Sequence, residues 1–261
     1  MTATQLQAAA ARLDNAALER KAIAQFAAGA FNLADAYGIQ RLALDRRTAR
    51  GERIKGIKLG FTSRAKMIQM GVDALIWGWI TDAMIEEDGG LVDLSRYIHP
   101  RVEPEVCYLT SRAIDAPLTM LEAAHHVEAV APAMEIIDSR YADFKFSLED
   151  VVADNCSSAG LTMGAFTRDL DAAAQAGVRL QFNGRAVQVG STAAILGHPL
   201  RSVVQASRLL HAAGQSLPAG SLIMAGAATA AEALRPGVHV ETLVGAGRRA
   251  LGRVSFATNL P

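Results

Sequence analysis

The chain has 261 residues, 51% of them hydrophobic, with 26 basic and 26 acidic side chains. That is apolar material for a substantial core, while a net charge of zero with the two signs mixed along the chain gives no reason to expect nucleic acid as a partner. No stretch approaches the ~18 consecutive apolar residues of a membrane span.

Residues 1–53 read as helical. "TQLQAAAARLDNAALERKAIAQF" is rich in good helix formers, and "NLADAYGIQRLALDRRTARG" keeps apolar residues at helical spacing until Gly51. The same N-terminus lacks a basic region followed by a long apolar run, so it does not read as a secretory signal. Cys107 and Cys156 form no metal spacing and no disulfide framework. Together these features lead us to expect a soluble protein of a reducing cytoplasm.

From residue 54 the texture changes. Short apolar runs follow one another: "IKGIKLGF", "EVCYLT", "AMEIID", "VRLQFNG", "SLIMAG", "HVETLV" and "GRVSFA". Gly, Pro, Asp or Asn tends to bracket them, as expected of strands and turns. Asn183-Gly184 fits the tight turn of a hairpin. Helices are predicted at "TMLEAAHHVEAVA" and "PLRSVVQASRLLHAAGQ". Strands and helices do not alternate regularly, so the expected fold class is α+β, with residues 1–53 a helical region and 54–261 a β-rich domain. No Gly-rich phosphate loop and no internal repeat interrupts this pattern.

"RVEPEVCYLT" places Glu103 and Glu105 two apart, on one face of an extended segment that continues with Cys107 and Leu109. Two readings are open. The glutamates lie on the solvated face of an edge strand, where Pro104 is tolerated, or they hold a hard cation such as Mg²⁺ or Mn²⁺. Glu135 lies in the apolar run "PAMEIID", an expensive place for an unpaired charge. It is a third ligand, or else the partner of Arg140 or Lys145. Lys58 alternates with Ile57 and Leu59, as a snorkelling surface lysine or as a buried group that moves protons beside a metal. The adjacent His125 and His126 point in different directions on a helix and are expected to be structural or exposed.

"KLGFTSRAKMIQMGV", "PRVEPEV", "MEIIDSRYADFKF", "VVADNCSSAG", "ILGHPL" and "LPAGSLIMAG" occur in this order. Together they resemble the 2-keto-4-pentenoate hydratase and 4-oxalocrotonate decarboxylase group of the fumarylacetoacetate hydrolase superfamily. The resemblance runs from about residue 20 to the end. It implies a mixed β-rich core behind a helical N-terminal part. It also implies a Mg²⁺ or Mn²⁺ held by Glu103, Glu105 and Glu135, with Lys58 as the active-site lysine. Ser157 falls on a loop serine that closes over the substrate, and the main chain near Met70 and Gly71 falls where the 2-oxo acid end is held.

The substrate expected from the resemblance is a small 2-oxo dicarboxylate from the meta-cleavage of aromatic rings. The partners expected are the pathway hydratase and further copies of the chain. Hydratases of the group carry an acidic residue before an aromatic-Gly pair; here "GVDALIWGW" has Ile76, followed by Trp77 and Trp79, as an apolar pocket wall. That favours decarboxylation over hydration, with hydratase or hydratase-binding partner as the alternatives. Ala225 stands where the group often has a threonine near the substrate. Asp138 and Arg140 are expected to support the Glu135 strand, and Asp154 and Asn155 to shape the loop of Ser157. His198 reads as a turn residue, and Cys156 as a packed residue and not a nucleophile.

Overall fold

The computed structural model describes residues 1–63, 67–68, 74–245, 247 and 250–260. Helix α1 (Ala3–Glu19) and helix α2 (Leu33–Ala49) begin at side-chain caps. The Thr2 hydroxyl accepts from the Gln5 amide while Gln5 Oε1 accepts from the Thr2 amide, and Asn32 Oδ1 accepts from Asp35. These bonds satisfy amides that a first turn leaves unpaired. The predicted first helix ends sooner than its composition suggests. Arg20 turns left-handed at φ 54°, and the Lys21 amide closes back on the Ala16 carbonyl.

Among the described residues, thirteen strands make two sheets. The strands are β1 (Ile54–Gly60), β2 (Ile76–Thr81), β3 (Ile85–Glu86), β4 (Leu91–Val92), β5 (Arg101–Thr110) and β6 (Val127–Ile137). Then come β7 (Ser158–Met163), β8 (Gly177–Phe182), β9 (Arg185–Ser191), β10 (Leu222–Met224), β11 (Glu232–Ala233), β12 (His239–Val244) and β13 (Gly252–Thr258). The larger sheet runs β2-β1-β10-β5-β6-β7-β3, with β11 added to β5; the smaller runs β4-β13-β12-β8-β9. Among the described residues, helices α3 (Met120–His126), α4 (Leu148–Ala153) and α5 (Arg201–Ala212) pack outside them. The fold is α+β, as expected, and β8 and β9 form the hairpin at Asn183-Gly184.

One prediction is corrected here, and one of two open readings is closed. The helix predicted over "TMLEAAHHVEAVA" stops at His126, and β6 begins at Val127. A capping box between Thr119 and Glu122 starts the helix, but Val127 and Val130 are β-branched and are taken up in pairing with β5. Second, β5 is an interior strand, not an edge. Pro104 is tolerated because its carbonyl side faces the connection between β10 and β11, where Ala228 donates to it and no ladder donor is required.

Alternation along β5 and β6 sorts the two faces. Val102, Met134 and Ile136 pack with Leu180, Val240, Val254 and Phe256 of the smaller sheet. The opposite face points into the curl of the larger sheet. Ile80 of β2 and Leu161 of β7 share one cluster with Cys107, Ala133 and Met224, although their strands are far apart in the sheet order. This apolar cluster closes one end of the curl, and the acidic residues lie toward the other. The N-terminal helices cover that side. Ile39, Leu13 and Ala10 pack with Val151, Val152, Ile76 and Cys156, and Gln40 Nε2 donates to the Trp77 and Val152 carbonyls.

Candidate metal centre and active-site cavity

The antiparallel register of β5 and β6 sets Glu103 directly opposite Glu135, with Glu105 one step further on the same face. One carboxylate oxygen from each lies within 4.8 Å of the others. The three side chains are 6%, 1% and 1% exposed. Like charges facing each other across a ladder are destabilising, and burial aggravates this, so the cluster needs a compensating partner.

Lys58 supplies part of the compensation. It projects from β1 into the same space, 4% exposed, and its Nζ donates to Glu135 Oε2 at 3.0 Å. The alternative partners expected for Glu135 are thereby ruled out. Arg140 is instead engaged by Asp154, and Glu135 Oε1 accepts from the Ser158 hydroxyl at 2.7 Å. Burial alone would lower the Lys58 pKa. The carboxylates, Glu135 foremost, outweigh it and raise it, so the group is a firm ammonium.

Burial also pushes the Glu105 carboxyl well up, and the Glu135 charge adds to this. Glu105 Oε2 accepts from the Gly226 amide at 2.8 Å, while its Oε1 is buried with no partner among the described residues. Gly226 is required there: at φ +107° a Cβ would stand 2.1 Å from Thr62 Oγ1.

These residues fit a divalent cation. Among the described residues, three carboxylates gather around one ammonium, the donors are all hard oxygens, and Glu105 Oε1 has no other partner. The two carboxylates of "EPE" and the one of "AMEI" are the residues that would hold it.

A cavity of about 360 Å³ opens beside the cluster. Lys58 and Glu103 line it at one side, and Phe61, Ile76, Phe146 and Val151 give it apolar walls. Ile76 is thus where the sequence places it. Trp77 and Trp79 are not: alternation along β2 turns them outward, where Trp77 stacks on Tyr37 at 5.4 Å. Ala225 is likewise buried in the core, its carbonyl accepting from Ser202, away from this cavity. Met70 and Gly71 lie outside the described residues.

Ser157 reaches the cavity on a strained turn. Asn155, Cys156 and Ser157 have φ of 50°, 54° and 58° in succession, a left-handed run that costs on the order of 1 kcal/mol per residue. The Asn155 side chain holds it by accepting from the Trp79 amide at 2.7 Å and donating to the Trp79 carbonyl at 2.9 Å. Gly78 permits the close approach, since a Cβ there would lie 2.5 Å from the Asn155 carbonyl oxygen. The strain presents the Ser157 hydroxyl, buried and without a partner among the described residues. Cys156 donates to the Trp77 carbonyl, and burial pushes its thiol up to about 12, which leaves it no nucleophile at neutral pH.

The remaining residues frame the site. Asp138 accepts from the Ile98 and His99 amides, and Asp154 from the Arg140 backbone and side chain, which joins the ends of β5, β6 and α4. His198 Nδ1 meets the Leu200 amide in a turn, and His125 is exposed, both away from the glutamates. Sequence reasoning missed three contributors. Ser158 and the Gly226 amide carried no signal beyond their neighbours' motifs; Arg101, which also lines the cavity, is in phase with Glu103 and could have been found by that spacing.

With this geometry in hand, comparison with known proteins is specific. The model of the fumarylacetoacetate hydrolase C-terminal family matches residues 76–255. A 4-oxalocrotonate decarboxylase from a Pseudomonas species is 54% identical over 95% of this chain and 96% of its own. A 2-keto-4-pentenoate hydratase from Paraburkholderia xenovorans is 38% identical over 79% of this chain and 78% of its own. The structure of 4-oxalocrotonate decarboxylase from Pseudomonas putida G7, complexed with magnesium and adipate, superimposes with a TM-score of 0.93 at 37% identity, covering 99% of this chain and 98% of that one.

Proposed function

Since the chain belongs to the fumarylacetoacetate hydrolase family, we propose that it is a metal-dependent carboxy-lyase that converts 2-oxohex-3-enedioate (4-oxalocrotonate) to 2-hydroxypenta-2,4-dienoate and CO₂. The observation that carries this reading is one cavity in which three buried carboxylates and Lys58 face an apolar wall at Ile76. The greater identity to the decarboxylase than to the hydratase supports it. Glu103, Glu105 and Glu135 hold the ion, Mg²⁺ or Mn²⁺, which when bound supplies a Lewis acid for the 2-oxo acid end of the substrate.

The chain's own residues do the rest. The substrate's leaving carboxylate stands in vinylogous relation to the 2-oxo group, so the electron pair of the breaking C5–C6 bond can delocalise onto the 2-oxo oxygen. Lys58, whose Nζ lies 3.0 Å from Glu135 Oε2, places N–H donors where that oxygen gains charge, and can deliver the proton that completes the dienol. The Ser157 hydroxyl, with no partner among the described residues, is available to the substrate. Phe61, Ile76, Phe146 and Val151 keep water from the reacting carbons, and no carboxylate stands at residue 76 to activate water for addition. The product dienol is unstable, so direct transfer to a hydratase partner and assembly as a homo-oligomer belong to the same proposal.

The test supplies purified protein, with Mg²⁺ or Mn²⁺, with 2-oxohex-3-enedioate and separately with the dienoate. CO₂ release from the first without hydration of the second is the expected result. Hydration without CO₂ release would assign the alternative, hydratase activity.

A further inference from the structure

We propose that Arg101 docks the second carboxylate of the substrate and so selects a dicarboxylate over a monocarboxylate of equal length. The proposal rests on the decarboxylase reading for the identity of the substrate. The inference begins with the register of β5. Arg101 pairs with Ile137 and Glu103 with Glu135, and no bulge separates them, so Arg101 lies on the same face as the metal-binding carboxylates. Two residues along a strand span roughly 6.5–7 Å. A six-carbon diacid, five C–C bonds of about 1.5 Å in a zigzag, extends roughly 6 Å between its ends. A substrate anchored near Glu103 therefore carries its far end toward Arg101.

The electrostatics agree. Among the described residues lining the cavity, the cations are Lys58 and Arg101. Lys58 is committed to Glu135, at the acidic end. With the first carboxylate of the substrate anchored at that end, the second finds its counter-charge at the other. Arg101 is free to supply it. Arg47, Arg96, Arg140 and Arg168 are each taken up by a carboxylate of the chain, whereas Arg101 has no such partner among the described residues.

Its one described contact is with an aromatic face. The guanidinium lies 4.4 Å above the centroid of Phe144, which itself lines the cavity and packs on His99 at 4.7 Å. A cation–π contact holds the guanidinium without using its N–H donors in a hydrogen bond, which leaves them to a bidentate carboxylate. The Phe144 backbone is held left-handed at φ 55°, next to Asp143 at 58°. Such strain is characteristic of positions that place a side chain for binding. Arg101 is exposed, so solvent screens the contact and its effect is moderate, about tenfold in affinity.

The test is calorimetric titration of the Mg²⁺-loaded protein with adipate and with hexanoate, six-carbon acids that differ in the second carboxylate. Wild type is expected to bind adipate more tightly. Arg101→Gln should weaken adipate about tenfold and leave hexanoate within twofold, while Arg101→Lys, which keeps the charge and loses the fork, falls between them. In turnover, KM should rise more than kcat falls. Equal loss of both ligands in Arg101→Gln, or unchanged adipate binding, overturns the proposal. Should Arg101→Gln not fold, an Arg101→Lys variant with wild-type adipate affinity overturns it as well. Failure of wild type to release CO₂ while adipate binding still follows Arg101 would reject the decarboxylase reading alone.

Discussion

Replacing Glu105 with Gln should make the metal-free protein more stable and the metal-loaded protein less so. Glu105 is 1% exposed, shares its space with Glu135 and Glu103, and leaves Oε1 without a partner among the described residues. Burial, reinforced by those charges, raises its carboxyl well above the ordinary 4.5. The folded protein then keeps a proton that the unfolded chain has lost, so metal-free stability falls as pH rises above 4.5. Each pH unit of this imbalance is about 1.4 kcal/mol. Glutamine has the same shape without the charge. Relief of about 1 kcal/mol should raise the metal-free Tm by roughly 2–4 °C at this chain length, with a flatter pH dependence. Wild type in Mg²⁺ at a hundred times Kd should gain about 2.7 kcal/mol, and Glu105→Gln should lose most of that gain. Thermal unfolding with and without Mg²⁺, from pH 5 to pH 8, reads both effects. A variant with the wild-type Mg²⁺ shift would refute the assignment of Glu105 as a ligand.

Three further substitutions probe the surroundings. Lys58→Met removes the ammonium from Glu135, so Mg²⁺ affinity by calorimetry should hold or tighten while kcat falls about a hundredfold, the range of a general acid; weaker metal binding would show that Lys58 supports the ion and not the substrate. Ser157→Ala deletes a buried hydroxyl without a partner among the described residues, so stability should be unchanged or up by about 1 kcal/mol while kcat/KM drops. Loss of stability with full activity would make the serine structural. Burial pushes the Asp14 carboxyl up, but hydrogen bonds from Arg50 and Arg46 outweigh it and hold the group below its ordinary 3.8. Its contribution is therefore complete above about pH 4 and lost on further acidification. Asp14→Asn should lower the stability at neutral pH by about 1 kcal/mol, given the half-exposed arginines, and narrow the gap to wild type as pH falls below 4. A gap that stays constant with pH excludes the ion pair as its cause.

Much of the site was legible because strand alternation is a strict rule. Glu103 and Glu105 two apart must share a face whatever the loops do, and the charges of Glu135 and Lys58 stand out among apolar neighbours, although alternation alone left open whether those faces are solvated or buried. Their mutual approach is not local information. It depends on β1 reaching β5 through β10, a strand from the far end of the chain. The helix over residues 119–131 was misread because alanine-rich sequence favours helix until a neighbouring strand claims it, and the pairing of Val127–Ile137 with β5 is invisible in a short window. Trp77 and Trp79 were placed on the cavity by proximity to Ile76, where alternation alone would have turned them away. The left-handed turn at residues 155–157 has no sequence signature except Asn155, since its strain is held from outside by β2.

The most direct test is a crystal structure from protein grown with Mn²⁺, with anomalous data collected at the manganese edge. One strong peak per chain is expected, in contact with Glu103, Glu105 and Glu135 together and open toward the cavity beside Lys58. A peak elsewhere, or none at this cluster under saturating Mn²⁺, would contradict the metal centre and the chemistry that depends on it.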